Sequence, residues 1–326
     1  MPIVTRLTER LGITHPVILA PMAGVAAGRL AAAVSGAGGL GLIGGGYGDR
    51  AWLEAELRAA GNARVGCGFI TWSLDERPEL IDLVLAHRPA AVFLSFGDPA
   101  PYAGRIAEAG VPLICQVQTR GDAEAALDCG ASVLVAQGGE AGGHGGQRAT
   151  IALVPEIADL IAARAPDTLL CAAGGIADGR GLAAALMLGA DGIVAGSRFW
   201  AAAEAAVHPS LHPAALAAGG DDTVKTSTVD IVRSRAWPER FKIRVLRNAF
   251  TDRWHGREEA LRGALDTEAP AFQTAMAAGD PVNGTAIVGE VVGLINAVEP
   301  AAAIVERMVA EAETLLKGTG RYIGPS

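Results

Sequence analysis

Between Ala136 and Gly146 the chain reads AQGGEAGGHGG, six glycines around one glutamate, Glu140, and one histidine, His144. Imidazole suits proton transfer near neutral pH, because its ordinary pKa is about 6.5. Flanking glycines let a flat ligand approach the backbone and let the chain take left-handed conformations, at a cost in folding entropy. The pattern points to a base, or a hydrogen-bonding imidazole, held beside a ligand. A lone histidine is more often structural, so His144 is a candidate on the strength of its flanks. Glu140 either orients the loop or His144, or is a solvated carboxylate.

Two further glycine stretches have a different chemistry. AAGGIADGRG holds Gly174 and Gly175, and AGSRF holds Gly196 and Ser197; each directly follows an apolar run. Backbone N–H groups at such turns make an anion site, and the Ser197 hydroxyl adds a donor. As a pair they favour phosphate over simple chain reversal. A third run, GGLGLIGGGYGDR, carries Tyr47, which either touches a ligand or packs. Arg233, Arg235, Arg240, Lys242, Arg244, Arg247, Arg253 and Arg257 cluster later in the chain. They read as solvated faces or as partners of an anionic substrate, and none stands out. His15 reads as structural, and His208 and His212 are weak candidates. No His or acidic cluster has metal-ligand spacing, so no metal is expected.

The elements that must position these groups are visible as eight apolar runs: VILAPM, LGLIG, VGCGFI, AVFLSF, PLICQV, VLVAQG, LLCAAG and GIVAG. Near-continuous apolar runs suit parallel strands covered on both faces, and the stretches between them have helical character. Eight such units predict an α/β fold, a (β/α)8 TIM barrel, whose active site lies where the strands end. A doubly wound sheet would carry G-x-G-x-x-G after its first strand, and APMAG does not match. After the eighth strand RFWAAAEAAVHPS starts or extends a helix. Residues 211–295 then read as a mainly helical insertion covering the substrate, with the barrel formed by 1–210 and 296–326. The periodic EPAAAIVERMVAEAETLLKG is placed as a last outer helix.

The 326 residues are half hydrophobic, with a net charge of −8 and a pI near 5.3, which argues against nucleic acid as a partner. No signal-type segment and no run long enough for a bilayer is seen, so a cytoplasmic protein without membrane contact is expected. Cys67, Cys115, Cys129 and Cys171 form no C-x-x-C pair and read as buried free thiols.

APMAG, AQGGEAGGHGG, AAGGIADGRGLAAALMLGADGIVAGSRF and NAF followed by GE and VVGLI together resemble the nitronate monooxygenase (2-nitropropane dioxygenase) family. The resemblance spans nearly the whole chain and is strongest over residues 110–202. It implies non-covalent FMN and oxidation of alkyl nitronates, or nitroalkanes, by O2 to a carbonyl compound and nitrite. It further implies that Ala20, Pro21, Met22 and Ala23 lie against the flavin ring, with Gln116 and Gln137 facing it. Gly142 and Gly143 would approach it closely, and Gly174, Gly175, Gly196 and Ser197 would hold its phosphate. His144 matches the family's catalytic histidine, as base or nitro-group anchor. The chain departs from the family at Gly68, where relatives often carry Asn, and at Glu290–Val291, where they often carry Gln followed by Ser or Gly. The same motifs also resemble NAD(P)H-dependent flavin reductases, either enoyl-acyl carrier protein or quinone reductases. A non-catalytic flavin-binding barrel is a further alternative, and a homo-oligomer is left open.

Overall fold

The computed structural model describes residues 3–322, so the ends of the expected barrel unit, 1–2 and 323–326, lie outside the described residues. Its first nine strands are β1 (Val17–Leu19), β2 (Leu42–Gly46), β3 (Gly66–Ile70), β4 (Val92–Ser95), β5 (Leu113–Val117), β6 (Val133–Gln137), β7 (Gly143–Gly145), β8 (Leu169–Ala173) and β9 (Gly192–Ala195). All but β7 join in one parallel eight-stranded sheet. β1 pairs with β9 on one side, and a bridge from Ile18 to Leu40 closes the ring on the other. These eight strands are the eight apolar runs of the sequence, and the fold is a (β/α)8 barrel.

Alternation along each strand divides the core in two. Ile18, Phe93, Ile114, Val133, Val135, Leu169, Cys171 and Val194 fill the barrel, and Leu7 and Leu11 of the helix Arg6–Leu11 join them. A side chain at Gly192 would meet Leu7 and Pro16, so this helix plugs the end where the strands begin. Arg6 fixes it with two bonds to Asp191, at 2.8 and 2.9 Å. The alternate residues, such as Val17, Leu19, Val92, Leu94, Leu134 and Ala136, pack outward on the helices. With one end plugged and the interior filled, a ligand is left the end where the strands stop.

The Ala-rich run after β9 is helical only over Ser197–Trp200. Ala203 N–H instead donates to the Glu299 carbonyl, and Ala202 bridges to Glu299, so the chain runs beside its own return into the barrel. The eighth outer helix is Ala301–Lys317. Its buried stripe of Ala301, Ile304, Val305, Met308, Val309 and Ala312 packs on the helices Gly28–Gly36 and Gly179–Met187.

The segment 211–295 is mainly helical, its longest helix being Leu265–Ala278. It also holds two strands that the helical expectation lacked, β10 (Thr223–Thr226) and β11 (Lys242–Leu246). They form an antiparallel pair, and β11 also pairs with β7. The alternation in FKIRVL, with Phe241, Ile243 and Val245 buried, is the period-2 signal of a half-covered strand. Gly143–Gly145 carries no such signal; it is a strand only because β11 lies beside it.

Candidate active site

The loops where the strands stop, together with the covering segment, enclose one cavity of about 540 Å³. Ala20, Pro21, Met22, Ala23, Gln116, Gln137, Gly142, Gly143, His144, Gly174, Gly175, Gly196 and Ser197 all line it. The cover adds apolar and aromatic groups, including Trp237, Ile243, Met276, Ile287 and Val291, and the single cation Arg233.

One side of this cavity is built to accept an anion. Gly174 and Gly175 turn the chain after β8 with φ of 92° and 73°, in the left-handed region that glycine tolerates. Among the described residues, the N–H groups of Gly175, Ile176 and Ser197 have no acceptor. The Ser197 hydroxyl accepts the Gly289 N–H at 2.8 Å, which leaves its own proton to donate. The nearby carboxylate, Glu140, is turned away and accepts from the Thr150 N–H and hydroxyl at the start of the helix Thr150–Arg164. It therefore orients the loop and does not touch His144. Unpaired donors converging without a competing acceptor fit a phosphate.

His144 lines the same cavity from β7, where its strand neighbour is Ile243. Its carbonyl accepts from the Gln137 amide at 3.0 Å, and the Gln137 oxygen accepts from Gln118 at 2.9 Å. Gln137 is thus committed to the loop, whereas the Gln116 amide has no partner among the described residues. Two cations of the hairpin hold the glycine loop: Lys225 donates to the Gly146 carbonyl, and Arg244 donates twice to that of Gly139, at 3.0 and 3.2 Å. Gly142 has a local reason to be glycine, since a Cβ there would meet the backbone of Val288 and Gly289.

The imidazole Nε2 lies 2.9 Å from each carboxylate oxygen of Asp230, and both side chains are almost fully buried. Trp237 lies flat on the ring, with centroids 3.4 Å apart and planes 7° apart. Burial lowers the His144 pKa below its ordinary value, against the opposing pull of Asp230. The shift favours the neutral ring. Tyr47 lines the cavity and accepts the Trp237 indole N–H at 2.9 Å, with Arg235 4.1 Å over its ring. Phe96 packs edge-on to His144 and Trp237 with φ of 65°, an unusual conformation for an aromatic residue.

Asp230 and Trp237 were not singled out by the sequence. Asp230 lies far along the chain from His144; it opens the arginine-rich stretch DIVRSRAWPERFKIRVLRNAF, which reads as a whole and singles out neither residue. Of the remaining candidates, His208 stands at the exposed rim of the cavity and bonds to Ser210. His15 and His212 keep one buried nitrogen each without a partner and lie outside the cavity lining. Cys67 and Cys115 are buried and pushed up to about 12 by desolvation, while Cys129 is only half-buried. Among the described residues no group of three His, Cys, Asp or Glu is placed to hold a metal. No described helix is long and apolar enough to cross a membrane.

Both departures from the family have visible partners. A Cβ at Gly68 would lie 2.4 Å from Pro21, so an Asn there requires Pro21 to shift. Glu290 pairs with Arg244 at 2.8 Å, a contact that a neutral Gln would not make as an ion pair.

A filled barrel whose cavity at the strand ends brings unpaired amides and a buried imidazole together has the architecture of a (β/α)8-barrel enzyme. The chain belongs to the nitronate monooxygenase family, whose profile matches residues 4–65 and 72–311. A nitronate monooxygenase of Neurospora crassa is 34% identical, over 93% of this chain and 90% of that one. Among solved structures, FabK from Thermotoga maritima superposes with a TM-score of 0.86 and 31% identity, covering 98% of this chain and 100% of that one. The nitroalkane oxidase from Streptomyces ansochromogenes gives 0.78 and 25%, covering 94% and 99%.

Proposed function

We propose that the protein binds FMN non-covalently in this cavity and uses O2 to oxidise alkyl nitronates, and nitroalkanes after deprotonation, to a carbonyl compound and nitrite. The observation that carries this reading is the imidazole of His144 facing the same cavity as the unpaired amides of Gly175, Ile176 and Ser197. In this reading Gly174, Gly175, Gly196 and Ser197 hold the phosphate, and Ala20 to Ala23 lie under the ring. Gln116 offers its free amide to the polar edge of the ring, and Gly142 and Gly143 leave room beside it. FMN is favoured over FAD because the turn after the first strand, APMAG, is not the G-x-G-x-x-G turn that grips a dinucleotide.

Bound FMN supplies the electron transfer between nitronate and O2. The chain's own work is proton transfer, orientation and exclusion of water. His144, whose pKa is lowered by burial, takes the α-proton of a neutral nitroalkane, a task that falls away with a pre-formed nitronate. Trp237, Ile243 and Ile287 wall the reacting centre off from bulk solvent. Residues 1–210 and 296–326 act as the barrel and 211–295 as the cover, in a cytoplasmic enzyme.

The test combines cofactor and turnover. Flavin released by heat is expected to migrate as FMN, and nitronate-dependent O2 uptake is expected to exceed NADH oxidation. His144→Asn should keep FMN, lose about 10²–10⁴-fold on a neutral nitroalkane and lose far less on the nitronate. A protein that neither carries nor takes up flavin overturns the reading. Rapid flavin reduction by NADH without nitronate turnover assigns the reductase activity in its place.

A further inference from the structure

We propose that Asp230 is a positioning residue that keeps the His144 proton on Nε2 and so presents Nδ1 to the cavity as the base. The inference rests on the reading of His144 given above. A carboxylate only accepts hydrogen bonds, so an Nε2 at 2.9 Å from both oxygens must carry the proton. A neutral imidazole has one N–H, and the lone pair is therefore on Nδ1. No described protein group bonds Nδ1, and His144 lines the cavity.

The setting of Asp230 supports the same assignment. It is only 3% exposed, yet among the described residues its carboxylate makes no hydrogen bond or ion pair with any Arg or Lys and has the imidazole as its one hydrogen-bonded partner. A buried carboxylate with so little compensation is costly as a stabilising device. It makes sense as a group that orients a ring which becomes charged during turnover. The other charges facing His144 are Arg233, just beyond the helix Thr228–Val232, and Lys225 from β10, both of which disfavour its protonation. Trp237, Phe96 and Ile243, which complete its surroundings, are neutral.

The step balances without a further reactant. The α-proton moves from the substrate carbon to Nδ1, and the C–H electron pair stays on the substrate as the nitronate. The imidazolium then donates through Nε2–H to Asp230 and lies on the face of Trp237, where a cation is attracted to the indole. His144 comes from the loop after β6 and Asp230 from the covering segment. The base is therefore complete only when the β10–β11 hairpin is seated on β7.

Nitrogen-15 NMR of histidine-labelled holoenzyme reads the tautomer directly, and should find the His144 proton on Nε2. Asp230→Asn keeps an acceptor for that proton and removes the charge. It should lower the His144 pKa and move the acid limb of kcat/KM for a neutral nitroalkane to lower pH. The plateau for the neutral nitroalkane should fall about 10-fold or more. A proton on Nδ1 in the unmutated protein, or an unmoved His144 pKa and acid limb in Asp230→Asn, overturns the proposal. Failure of the enzyme to turn over either nitro substrate overturns the proposed function instead. The tautomer and the NMR-measured pKa still decide the role of Asp230.

Discussion

The indole of Trp237 covers one face of the His144 imidazole at a centroid distance of 3.4 Å, and its own N–H is tied to Tyr47 at 2.9 Å. This stack excludes water from the ring and contributes to the desolvation that lowers the His144 pKa. Trp237→Ala should readmit water, so that Asp230 becomes the stronger influence and the pKa rises. The acid limb of kcat/KM on a neutral nitroalkane should then move to higher pH, opposite to the shift expected for Asp230→Asn. Trp237→Phe, which keeps a stacking ring, should restore much of the original profile. A pH–rate series on the two variants checks the sign, and an unmoved limb in Trp237→Ala would show that the stack does not control the base.

Gly175 tests the anion cradle. Its φ of 73° disfavours any side chain, and a β-branched one most of all, although the nearest atom to an added Cβ is that of Glu140 at 3.6 Å. Strain in this region costs about 1–2 kcal/mol per residue, which a large barrel tolerates. Gly175→Val should therefore fold, with far-ultraviolet circular dichroism unchanged, and release its flavin. Full retention of flavin would mean that the glycine serves chain geometry alone.

Arg244 ties the hairpin to the glycine loop by donating to the Gly139 carbonyl and the Thr223 hydroxyl and pairing with Glu290. Hydrogen bonds from a charged donor contribute about 1.5–3 kcal/mol each, so Arg244→Met should lower stability by about 2 kcal/mol and weaken flavin retention. Glu290→Gln, which introduces the residue common in the family, should cost less than about 1 kcal/mol because that carboxylate is 43% exposed. Urea unfolding of the two variants measures both. Equal losses would place the weight of the contact on the ion pair and not on the loop carbonyl.

Much of this protein is legible in its sequence because the signals are local. Eight apolar runs separated by helical stretches define eight βα units, since a strand buried on both faces must be apolar throughout and a strand end must turn. Gly174 and Gly175 announce their left-handed turn for the same reason: no other residue takes that φ without strain. His144 is marked by its glycine flanks. What the sequence left open is whatever depends on two distant segments meeting. Gly143–Gly145 becomes a strand only against β11, and the extended pairing there sets the direction of the imidazole. Asp230 lies in a short helix 86 residues beyond His144, and tertiary packing alone brings the two within hydrogen-bond distance. Glu140, adjacent to the same glycines, is drawn away to cap the helix at Thr150. Backbone geometry is a property of a few neighbouring residues and can be read in order. The partner of a side chain is chosen by which surfaces the folded chain presses together, and that choice has no local record.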